Sequence, residues 1–137
     1  MRAQETDVGR LREELYRARR TVIDLMPERA RQVLDTYVNC SSMASFYEWQ
    51  NSTANNLLDL CEPWSPRGIE GGSLSPRTHC PLCGGSSNNA YGADGFAFPE
   101  GLSRHLLGSH HANPCPVFEM VAAMALEHCL EMERRGT

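Results

Sequence analysis

Residues 79–115 read HCPLCGGSSNNAYGADGFAFPEGLSRHLLGSHHANPC, and the spacing of metal-ligand side chains within them organises the reading of the whole chain. Cys80 and Cys83 form a Cys-x2-Cys pair, twelve residues separate Cys83 from Phe96, and Leu102, His105 and His110 follow at short intervals. Two thiolates and two imidazoles at such spacing can close a tetrahedral zinc site, each pair held on one local element. The expected ligands are therefore Cys80, Cys83, His105 and His110. Pro81 and Gly84-Gly85 suit a tight turn around the Cys pair. The competing reading makes the cysteines small buried hydrophobes and His105 a satisfied core histidine. The Phe96 and Leu102 register favours the metal, and four ligands leave no open position, which points to a structural site.

The pattern resembles the two-Cys-two-His zinc-finger family over residues 79–111. The resemblance implies a knuckle hairpin carrying Cys80 and Cys83, a helix carrying His105 and His110, and a small core of Phe96 and Leu102. The stretch from Cys83 to Phe96 is longer than in that family and rich in Gly, Ser and Asn, so it reads as a long hairpin tip. His105 and His110 are five apart, wider than the i, i+4 spacing that stacks side chains on a regular helix; Gly108 between them can loosen the last turn. His111 competes as fourth ligand, and Cys115 is a further candidate.

Base reading by this finger has little support. The positions that would face DNA fall on Phe98, Glu100, Gly101 and Arg104, and only Arg104 is a typical reader of bases or phosphates. A lone finger covers only about three base pairs, and no internal repeat supplies a second. From Gln32 onward five Arg stand against eleven Asp plus Glu, so the positive field that drives nucleic-acid affinity is missing there.

The 137 residues carry a net charge of −4 and suffice for one domain with a modest core. All thirteen basic residues are Arg. The charged N-terminus argues against a signal peptide, and no apolar run approaches the ~20 residues that span a bilayer. The scattered cysteines fit a reduced, cytoplasmic protein.

The expected fold is mainly α: a helical bundle with an embedded zinc-finger-like ββα module. Residues 1–62 form an N-terminal helical region, 63–78 a Pro/Gly-rich loop, 79–113 the module, and 114–137 a helix that packs back on the N-terminal helices as one unit. Leu11, Leu15, Ala18, Val22 and Leu25 repeat at steps of four and three, a coiled-coil-like seam or one amphipathic face. Pro27 fits as the first residue of a second helix with Val33, Leu34, Tyr37 and Val38 inward. Phe46, Tyr47 and Trp49 begin a third, with Leu57, Leu58 and Leu60. Val117, Val121, Met124, Ala125, Cys129 and Met132 form the stripe of the last, broadened by Phe118, Leu126 and Leu130.

The Arg-rich first helix has three readings: a solvated face with Arg–Glu pairs, a homodimer seam, or a phosphate grip through Arg12, Arg17, Arg19 and Arg20, joined by Arg104. Trp64 either pins the loop to the core or, exposed, offers a partner contact. No phosphate loop, nucleophile elbow or other catalytic set is present. The expected function is thus non-enzymatic: a zinc-stabilised protein-interaction module, an adaptor or inhibitor of a larger protein partner. A phage- or plasmid-encoded inhibitor of a host nucleoprotein complex, an anti-CRISPR for example, suits the acidic surface. The alternative is a nucleic-acid-binding transcriptional regulator that grips with the Arg-rich helix.

Overall fold

The computed structural model describes residues 2–64, 76–85, 95–109 and 113–136, with side chains from Asp7 onward. The described residues form five helices and one two-stranded sheet, a mainly α fold. Helix α1 spans Arg2–Asp24 and α2 Glu28–Leu34. Pro27 stands at the N-cap of α2, one position before the first helical residue, where its missing N–H is not needed. A 3-10 turn over Asp35–Asn39 continues α2. Helix α3, Met43–Leu58, starts from a capping box in which Ser42 and Ser45 satisfy each other's backbone N–H groups. The third helix thus starts three residues before Phe46, directly after its serine cap.

Strands β1, Arg77–Thr78, and β2, Phe96–Ala97, pair antiparallel, Arg77 opposite Ala97 and Thr78 opposite Phe96. Helix α4, Glu100–Leu107, follows at once, and α5, Pro116–Gly136, closes the fold. The hairpin-then-helix order of the module is the expected one. Most of the Pro/Gly-rich loop, residues 65–75, lies outside the described residues, as do residues 86–94.

The core lies between α3 and α5, flanked by α2 and α4. Phe118 is buried against Trp49 with ring centroids 6.0 Å apart, and Trp49 stacks in turn on Phe46 at 6.4 Å. The indole N–H donates to Thr36 Oγ1 at 3.0 Å, which satisfies the one polar atom that Trp49 brings inward. Leu34, Leu57, Val121, Ala125 and Cys129 complete the layer, and Leu102 and Leu106 bring α4 onto it.

Four expected apolar positions outside α1 face outward instead. Val38 and Tyr47 are exposed, as are Leu130 and Met132 toward the end of α5. Helix α1 differs most. Its seam residues Leu11 and Leu15 are exposed, as is Leu25 just past its end, while Ile23, one residue from Val22, is fully buried. One residue is about 100° of helix rotation, so the body grips the last turn of α1 by a face next to the seam, half-covers Val22 and leaves the seam before it uncovered.

Candidate metal centre

Cys80 enters the site directly from β1. The Cys80 N–H donates to Gly85 O at 3.1 Å and Gly84 N–H to Cys80 O at 2.9 Å, which closes a knuckle around Cys80–Gly85. Gly84 sits at φ +68°, a left-handed conformation that glycine adopts without strain. The knuckle aims backbone donors at both sulfurs: Leu82 N–H lies 3.4 Å from Cys80 Sγ and Gly85 N–H 3.3 Å from Cys83 Sγ. Such donors stabilise thiolate charge.

His105 comes from α4, where Phe96 covers its ring in a stacked contact at 4.2 Å and 22°. The Phe96 and Leu102 pair therefore has the expected place: Phe96 orients the imidazole, and fully buried Leu102 anchors the helix beneath it. His105 Nε2 lies 3.3 Å from Cys83 Sγ.

The fourth group comes from the far side of a chain reversal. Gly108, at φ +83°, ends α4, and Pro114 packs so close that a Cβ on Gly108 would sit 3.1 Å from its ring. The returning chain is fastened by Cys115 N–H donating to His105 O at 2.6 Å. Cys115 then caps α5, its carbonyl accepting from Glu119 N–H at 2.8 Å. Its Sγ lies 3.8 Å from Cys80 Sγ. One donor atom from each of Cys80, Cys83, His105 and Cys115 lies within 4.8 Å of the other three, and this group can hold a metal ion.

The electrostatics suit a cation. The hydrogen bond from Cys80, with backbone N–H groups of Phe118 and Val117 at the α5 N-terminus, lowers the Cys115 thiol to about 5. Cys80, donating to that thiolate and buried, is pushed far above the ordinary thiol range. Burial raises Cys83 as well. Without a cation the cluster thus keeps protons that a metal would displace. Cys80 and Cys115 are buried, while Cys83 is exposed.

Of the four expected ligands, the structure brings together Cys80, Cys83 and His105. His110 and His111 lie outside the described residues. Cys115 was legible only as a further candidate; its position just before Pro116, at a helix start, was the available signal. None of the six cysteines forms a disulfide, and Cys40, Cys61 and Cys129 lie outside the cluster.

Three of the five expected arginines are held by carboxylates. Arg17 pairs with Glu13 at 2.6 Å, Arg19 with Glu127 of α5 at 3.0 Å, and Arg20 with Asp35 at 2.6 Å and Asp24 at 3.3 Å. Arg12 is exposed on α1, and Arg104 is exposed on α4, a helix that packs on α3, α5 and β2. Trp64 pairs through its backbone with Arg77, its N–H and O at 2.9 and 2.8 Å, and its ring leans on His79 at 5.0 Å. Trp64 is thus fastened to β1 and His79 while keeping 37% of its surface exposed. No helix among the described residues is long and apolar enough to cross a membrane.

No family model matches the chain, and neither a curated protein nor a solved structure matches it.

Proposed function

We propose that this chain is a zinc-stabilised, non-enzymatic interaction module that acts as an adaptor or inhibitor on a larger protein partner. The observation that carries the reading is the convergence of Cys80, Cys83, His105 and Cys115 from three separate segments. Three thiolates and an imidazole form a donor set that structural zinc favours, and four protein ligands leave no position for a reacting water. Zinc–sulfur bonds of ~2.3 Å in a tetrahedron place sulfurs ~3.8 Å apart, and a sulfur and a nitrogen ~3.5 Å apart. The separations of 3.8 Å for Cys80–Cys115 and 3.3 Å for Cys83–His105 lie close to those edges. The module is finger-like in order, hairpin then helix, with its fourth ligand taken from the cap of the next helix.

In this reading zinc contributes folding energy rather than chemistry. The acidic surface, five Arg against eleven Asp plus Glu from Gln32 onward, favours a partner with a basic groove. A host nucleoprotein complex bound by a phage- or plasmid-encoded inhibitor is such a partner. A regulator that grips nucleic acid with α1 has less support, because Arg17, Arg19 and Arg20 each already hold a carboxylate.

The test has two parts. Protein purified without added metal should carry one zinc per chain, and the zinc-loaded protein should capture a nucleic-acid-binding complex from bacterial lysate. A folded sample free of zinc would sink the structural site. Direct, steeply salt-dependent binding to bare duplex would replace the adaptor reading with the regulator.

A further inference from the structure

We infer that α1 forms a parallel two-stranded coiled coil with α1 of a second copy of this chain. Val8, Leu11, Leu15, Ala18, Val22 and Leu25 repeat at alternating steps of three and four, the a and d positions of a heptad. In the protomer this seam is uncovered along its first two heptads: Val8 is 46% exposed, Leu11 59% and Leu15 48%, while Val22 is half-buried where the helix meets the body and Leu25, 76% exposed, lies just past the end of α1. Every side chain from Asp7 to Ala18 is exposed, so this part of α1 buries no apolar residue in the protomer. An unsupported helix of that length is marginal in water, and most helices gain their stability from a packed apolar face. The body holds α1 by Ile23 on an adjacent face, which leaves the seam open to a partner.

The flanking charges name the partner and its direction. Asp7 and Glu14 occupy g positions, Arg12 and Arg19 occupy e positions. In a parallel pair each g residue faces the e residue five places on in the other helix. Asp7 then meets Arg12 of the second copy, and Glu14 meets Arg19. An antiparallel pair would set acid against acid and Arg against Arg. Arg12 and Glu14 make no ion pair among the described residues, and the Asp7–Arg10 contact at 3.4 Å is an exposed one worth little. Arg19 already holds Glu127 of α5, so the Asp7–Arg12 pair carries more of the orientation. A helix complementary to itself in one direction only is best matched by its own copy.

Sedimentation equilibrium from low to high micromolar protein reads the association directly. The wild-type mass should rise from one protomer to two. Leu15→Glu should stay at the protomer mass at every concentration while keeping its metal content, because Leu15 is exposed and makes no contribution to the protomer core. Asp7→Arg alone and Arg12→Glu alone should each weaken self-association at least about tenfold, as each places like charges opposite one another twice. Their equimolar mixture should form a heterodimer at wild-type strength, since both cross pairs are then attractive. A wild-type chain that remains a single protomer throughout, or a Leu15→Glu variant that dimerises undiminished, overturns the coiled coil. A mixture no tighter than either variant alone overturns the parallel direction.

Discussion

Replacing Cys115 by Ser tests which group completes the metal centre. Cys115 Sγ lies 3.8 Å from Cys80 Sγ and is supported by backbone N–H groups of Val117 and Phe118. Serine keeps the helix cap but is a far weaker ligand than a thiolate. Loss of an outer-shell partner alone costs about 10–100-fold in metal affinity, so loss of a direct ligand should cost at least ~100-fold, or ~2.7 kcal/mol. Cobalt substitution supplies a second readout. Sulfur-to-cobalt charge-transfer absorbance scales with the number of bound thiolates, and removing one of the three at Cys80, Cys83 and Cys115 should lower it by about one third. Competition with a chromophoric chelator gives the affinity on the same samples. Cys129→Ala, which removes a buried thiol outside the cluster, should leave both readouts at wild-type values. An unchanged spectrum and affinity in Cys115→Ser, with both lost in His110→Ala, would refute the assignment and return the fourth position to the histidine.

Phe118→Ala removes a ring that is 1% exposed and stacked on Trp49, and should cost ~3–5 kcal/mol in chemical denaturation without lowering metal stoichiometry; a loss under ~1 kcal/mol would contradict the packing. Gly108→Ala forces a side chain into φ +83° and against Pro114, so it should cost ~1–2 kcal/mol and weaken metal binding through displacement of Cys115; unchanged zinc affinity would show that the reversal does not position the ligand. Burial and the neighbouring Cys129 hold the Cys40 thiol up at about 12, against an ordinary value of 9.0. The folded state then keeps a proton that the unfolded chain gives up, so stability should fall as pH rises from 9 toward 12, by up to ~1.4 kcal/mol per unit. Cys40→Ala should flatten that alkaline slope, and a slope equal to wild type would rule Cys40 out as its source.

How far the residues alone foretold this arrangement differs from part to part. Cys80, Cys83 and His105 were readable because each lies on a local element whose spacing is short and whose neighbours, Gly84 and Phe96, serve the same geometry. The helix boundary at Pro27 carries its own chemistry and was nearly as clear, whereas the start of α3 at Ser42 went unread, because the aromatic residues that mark this helix begin only at Phe46, past its serine cap. The convergence of Cys115 was not readable, because it depends on a reversal at Gly108 and on a backbone bond to His105, and sequence spacing encodes neither. The heptad of α1 was legible as a pattern, but a pattern does not say whether the fold or another molecule covers it. Ile23, off the pattern, proved to be the residue that the core takes. Val38 failed for a related reason: the chain tightens from α-helix to 3-10 geometry at Asp35, and the change of period rotates Tyr37 inward and Val38 out.

The knuckle has a consequence for how the chain tolerates change in length. Gly85 O is tied to Cys80 N–H, and Gly95 O accepts from the Arg77 guanidinium. The chain therefore leaves and re-enters the module at two fastened points, and every ligand lies outside the span between them. Doubling such a connection costs only ~0.6 kcal/mol in closure entropy. A reporter peptide spliced between Gly85 and Gly95 should therefore leave metal affinity at the wild-type value, since Cys80, Cys83, His105 and Cys115 all lie outside that span.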